Sequence, residues 1–166
     1  KMKKFLVVLL IAVLAVSSVF AASLPGKKAK AASMGIQVGY PTGVAFAADL
    51  NVGEKYFVVV DAGATFGDNV TVCADALANY EIEEFKGFRR GDKWEISAGA
   101  GVGAFVSLGD TVAFGVRPEG DVRAVYAFSE GWDLGLRLDL GYSLTFADKV
   151  TGGFHYSGSL LCTYEF

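Results

Sequence analysis

The chain has 166 residues, the length of one domain, with a formal net charge of −3, 21 glycines and only 3 prolines. An acidic balance offers no electrostatic footprint for nucleic acid, and one histidine with two cysteines at no repeated spacing excludes a recognisable metal motif. No cofactor is expected.

The first 21 residues read as a secretory signal peptide. Lys1, Lys3 and Lys4 form a basic start, Phe5 to Val16 an apolar run, and Val19-Phe20-Ala21 a small-residue cleavage pattern. No cysteine sits at that junction, so no lipid anchor is expected. Without those three lysines, 12 basic residues face 18 acidic ones, and the mature chain carries −6. Residues 22–33, ASLPGKKAKAAS, lack periodicity and read as a short flexible tail on the periplasmic side.

From residue 34 to 166 the chain alternates. Met34, Ile36, Val38 and Tyr40 occupy even positions, and after Pro41-Thr42-Gly43 the even series resumes with Val44, Phe46, Ala48 and Leu50. Tyr56 to Phe66 and Val70 to Ile82 repeat the phase around a tight turn at Gly67-Asp68-Asn69, although Phe57 and Val59 blur the start of the former. Glu83 to Lys93 breaks the pattern and is expected to be the longest loop. Trp94 to Leu108 resumes it, and Val112 to Phe128 keeps one phase straight through Pro118, as a single strand would.

Trp132 to Phe146, WDLGLRLDLGYSLTF, is faultless. Every even residue is apolar and every odd one polar or glycine, which is a β-strand with two chemically opposite faces. It exceeds the roughly five or six residues of a soluble strand and suffices for the roughly nine to eleven of a tilted membrane-spanning one. The last segment places Phe154, Tyr156, Leu160, Cys162, Tyr164 and Phe166 on the even face. Cys73 and Cys162 differ in parity and are expected on opposite faces, both reduced.

Period two alone fits a soluble barrel as well as a membrane barrel. Two features favour the membrane. The odd face is rich in glycine at Gly99, Gly101, Gly103, Gly115, Gly135 and Gly141, which weakens a solvated strand but makes room inside a narrow barrel. Aromatic residues gather near strand ends on the even face, where interfacial girdles belong.

Tyr164-Glu165-Phe166, preceded by Leu160 and Cys162 at alternating positions, resembles the terminal strand signal of bacterial outer-membrane proteins. With the signal peptide and the strand series, the chain resembles the small outer-membrane β-barrel superfamily, of eight-stranded type. That resemblance implies an all-β, closed, antiparallel up-and-down transmembrane barrel over residues 34–166. It also implies a place in the outer membrane of a Gram-negative type envelope, and partners in outer-membrane lipid, periplasmic chaperones and the barrel assembly machinery, which would read Tyr164 and Phe166. A hairpin at Pro41-Thr42-Gly43 gives eight strands, and one kinked strand there gives seven; eight is adopted because bacterial barrels use even numbers. With a periplasmic C-terminus, the loops at Ser107 to Thr111 and Ala147 to Gly153 lie outside, and Glu83 to Lys93 lies in the periplasm.

The interior is expected to hold charge. Ser129-Glu130-Gly131 suits a three-residue hairpin, which sets Arg123 opposite Arg137 and Asp121 opposite Asp139; the turn at Gly67-Asp68-Asn69 sets Asp61 opposite Asp75. Facing carboxylates in a narrow lumen either share a proton or are neutralised, here by Arg117 reaching past Gly103. The expected outcome is one connected network of Asp61, Asp75, Arg117, Glu119, Asp121, Arg123, Arg137 and Asp139 that plugs the lumen. The corresponding function is structural or interactive, with a narrow porin-like channel for small solutes as the alternative. A lipid-modifying enzyme is the weakest reading. His155 and Ser157 share the inner face, but no glycine-flanked nucleophile turn accompanies them, and no catalytic residue is expected.

Overall fold

The computed structural model describes residues 32–41, 43–128 and 130–166, so the signal peptide and all but the end of the tail lie outside the described residues. Eight strands follow in order: β1 (Ser33–Tyr40), β2 (Gly43–Asn51), β3 (Tyr56–Phe66), β4 (Val70–Lys86), β5 (Lys93–Leu108), β6 (Val112–Ala127), β7 (Trp132–Phe146) and β8 (Val150–Glu165). Each pairs antiparallel with its neighbours, and β1 pairs with both β2 and β8, which closes the ring. The Pro41 segment is therefore a hairpin, with a cis Tyr40-Pro41 bond, and the count is eight rather than seven.

The register sets the shape of the ring. Followed strand to strand from Ser33, it runs through Asp49, Val59, Leu77, Gly101, Glu119 and Gly141 to His155, whereas the direct partner of Ser33 on β8 is Glu165. The ten-residue offset between His155 and Glu165 is the stagger of the barrel, and with eight strands it tilts them by roughly 40°. An eight-stranded interior is just wide enough for side chains to fill.

Adjacent residues of β7 live in opposite surroundings. Leu136 and Leu138 are 58% and 63% exposed on the outer wall, while Arg137 between them is 2% exposed. Leu134, Leu140, Val102, Val122 and Leu160 also face outward, and Asp61, Asp121, Arg123 and Asp139 are buried inside. This polarity is the reverse of a water-soluble barrel, and it suits an outer wall bathed by hydrocarbon. Aromatic contacts band the wall at both ends. Tyr56 with Tyr80, Tyr126 with Trp94 and Phe128, and Trp132 with Tyr164 circle the end that holds the termini. Tyr40 with Tyr156, Phe114 with Phe146, and Tyr142 with Phe154 circle the other.

The longest connection is shorter than expected. Strand β4 continues to Lys86 and β5 starts at Lys93, leaving residues 87–92 as the loop. A β-bulge causes the difference: Glu81 pairs with Ser97 and Glu83 with Ile96, so β4 carries one extra residue there. The extra residue shifts the phase, which moves odd-numbered Phe85 opposite Trp94 on the outer face. Between β6 and β7, Phe128 N–H donates to the Trp132 carbonyl at 2.7 Å, and Gly131 takes a φ of 86°, a left-handed conformation that favours glycine. Cys73 and Cys162 are both free, Cys162 exposed and Cys73 partly buried.

Candidate functional site

The predicted register holds. Arg123 pairs with Arg137, Asp121 with Asp139 and Asp61 with Asp75, all three pairs on the inner face. Such like-charge pairs destabilise a sheet unless each member finds an opposite charge elsewhere. Here they find it across the lumen.

Arg137 on β7 ion-pairs with Asp61 on β3, the strand on the opposite wall, and also with Asp139 at 2.6 Å and Asp121 at 3.5 Å. Arg123 on β6 reaches Asp49 on β2, again the opposite wall, through two hydrogen bonds of 3.0 and 2.8 Å. Its guanidinium also lies 5.4 Å from the centre of the Phe57 ring. Arg117 binds Asp75 at 2.9 Å and Glu119 at 2.5 Å. Gly103 is the register partner of both Asp75 and Arg117, and a Cβ there would collide with the Asp75 carboxylate. The missing side chain is what lets that ion pair span β5.

The charges therefore form three groups rather than one connected network. Arg117 with Asp75 and Glu119 lies nearest the Pro41 hairpin, Arg137 with Asp61, Asp121 and Asp139 follows, and Arg123 with Asp49 lies nearest the termini. The reason is the curvature of the wall, which brings Asp49 within reach of Arg123 in place of a diagonal neighbour. Asp49 is absent from the residues expected from sequence, because partners on β2 and β6 meet only once the ring has closed.

Two further features of the lumen escape the alternation rule. Val59, Leu77 and Leu161 point inward and are 3% exposed or less, so apolar side chains share the middle of the lumen with the charges. Their only signal is being apolar on the odd phase. Toward the Pro41 hairpin, a cavity of about 80 Å³ opens among Arg117, Glu119, Arg137, Asp139, His155 and Ser157. It has room for a few water molecules. His155 and Ser157 do share this cavity, but the Ser157 hydroxyl donates to Asp139 at 2.5 Å. No metal-binding cluster occurs among the described residues.

Tyr164 and Phe166 sit at the terminus end with ring centres 5.3 Å apart, and Phe166 N–H donates to the Ala32 carbonyl at 3.0 Å. Both rings take part in the aromatic band, where Tyr164 also meets Trp132.

No protein-family model matches the sequence, and no curated protein matches it. Among solved structures, the chain is similar to the crystal structure of Neisserial surface protein A (NspA), with 18% identity over 81% of this chain and 93% of that one and a TM-score of 0.44. The strand pairings within the chain itself establish its class. It is an eight-stranded, closed, antiparallel up-and-down β-barrel, apolar outside and charged within.

Proposed function

We propose that this barrel serves the outer membrane as a structural or interaction protein whose lumen is closed to solutes by its own side chains. The observation that carries the reading is Arg137, buried between opposite walls with carboxylates of β3, β6 and β7 around it. Buried charges are tolerated when paired, and a guanidinium held between facing walls occupies a lumen just wide enough for side chains. The inward Val59, Leu77 and Leu161 add to the filling at this level. On this reading the chain is exported through a cleaved signal peptide, meets periplasmic chaperones and the barrel assembly machinery through its C-terminal strand, and lies with its termini in the periplasm. The reading assigns the barrel no catalytic role, supported by the Ser157 hydroxyl donating to Asp139 rather than to His155.

The cavity open toward the Pro41 hairpin favours a second reading, a narrow channel for small solutes that the arginine braces interrupt. Single-channel recording in planar bilayers separates the two. The plugged barrel gives no resolved conductance steps, and reproducible steps from the unmodified protein would replace it with the channel.

A further inference from the structure

The loop of residues 87–92 does not project from the barrel but folds back on its outer wall. Phe88 N–H donates to the Tyr126 hydroxyl at 3.0 Å, that hydroxyl donates to the Asp92 carboxylate at 2.7 Å, and Gly87 N–H donates to the Asp92 carbonyl at 2.9 Å. The Phe88 ring stacks on Tyr126, with centres 5.8 Å apart, and meets Trp94 edge-on at 6.4 Å. Phe88 is nonetheless 88% exposed. A loop adapted to water would hide this ring, whereas here two hydrogen bonds through Tyr126 hold it out on the wall.

A groove of about 930 Å³ starts at this loop and crosses the wall over Leu134, Leu136 and Leu160 to Ile36. Arg89 lines its head. Neither Arg89 nor Arg90 has a carboxylate within ion-pair distance among the described residues, while nearby Lys93 is paired with Glu84 at 2.8 Å. An unpaired guanidinium, an aromatic shelf and an aliphatic track thus follow one another from the rim inward. That order matches a lipid with an anionic head, a glycerol region and an acyl chain.

We propose that the groove is a binding site for one anionic glycerophospholipid in the leaflet nearest the chain termini. Arg89 pairs with its phosphate, Phe88 and Trp94 flank the glycerol region, and the acyl chain lies along Leu134, Leu136 and Leu160. The inference rests on the membrane reading above and adds a headgroup preference that a plain lipid-facing wall lacks. Because hydrogen bonds already hold the loop, little ordering accompanies binding.

The test uses the full barrel carrying Trp132→Phe, so that Trp94 is the only tryptophan reporting, refolded into phosphatidylcholine vesicles. Small amounts of brominated phosphatidylglycerol or brominated phosphatidylcholine are added, and quenching of Trp94 is recorded. Brominated phosphatidylglycerol is expected to reach half-quenching at about fivefold lower mole fraction, the factor for one basic side chain at an anionic head. Arg89→Gln abolishes that preference, and Lys55→Gln, in the loop between β2 and β3, leaves it intact. Equal quenching by the two lipids, or a preference that survives Arg89→Gln, overturns the site while leaving the membrane reading standing. A folded barrel quenched by neither lipid overturns both. Cross-linked dimers with no lipid preference assign the face to a second copy of the chain instead.

Discussion

The β3–β4 and β6–β7 hairpins both set like charges face to face, yet they differ in what they bring. On β3 and β4 the inward pair is Asp61 with Asp75, with no basic side chain on the inner face of either strand before the β4 bulge. On β6 and β7 two arginines face each other beside two aspartates, and Arg117 stands further along β6. Neither hairpin is electrostatically sound alone. Closure of the ring brings arginines of the second against the carboxylates of the first, through Arg137 with Asp61 and Arg117 with Asp75. Charge placement that penalises an isolated hairpin thereby favours the closed barrel over open or slipped sheets, since a one-residue slip would turn these groups toward lipid.

The comparison breaks most completely at Arg137. Arg137→Ala leaves Asp61 and Asp139 buried without their partner and is expected to cost about 3–5 kcal/mol in urea titrations of the barrel in lipid vesicles. On the neighbouring outward position, Leu136→Arg is expected to cost about 2–4 kcal/mol near the bilayer midplane, whereas inward Ser143→Asn changes stability by less than about 0.5 kcal/mol. A reversed ranking of the two β7 variants would invert the assignment of faces. Gly103→Val places a branched side chain where Arg117 crosses to Asp75 and is expected to cost about 1–3 kcal/mol, while Gly67→Val, with open space around it, costs less. Deletion of Phe166 acts on assembly instead. It leaves the stability of the formed barrel within about 1 kcal/mol but lowers outer-membrane levels in cells, as measured by fractionation.

The parts of this architecture legible in the sequence are those governed by nearest neighbours. Alternation assigned the two faces of β7, and the hairpin at Gly131 set the pairs Arg123 with Arg137 and Asp121 with Asp139 by counting alone. Gly103 was readable as a gap because it lies between two strands whose registers were both countable. Contacts across the ring were not. That Arg123 meets Asp49 depends on strand number and stagger together, which no local pattern encodes. The bulge at Glu81 and Glu83 was hidden for another reason: a phase break among charged residues looks the same whether the strand ends or gains a residue. Val59 and Leu77, inward on odd positions, read as noise in the alternation although they fill the lumen. An apolar residue facing the interior of such a barrel breaks the binary pattern without breaking the packing.

The central claim is that the two hairpins are coupled through the lumen, and a double-mutant cycle on Asp61→Asn and Arg137→Gln measures that coupling directly. Unfolding free energies of the wild-type barrel, both single variants and the double variant are obtained in the same lipid vesicles. The account predicts that the double variant is more stable than the sum of the single effects by about 0.5–3 kcal/mol, because removing either partner alone strands the other. Effects that add to within about 0.5 kcal/mol would show that β3 and β7 do not sense each other across the lumen, and would contradict it.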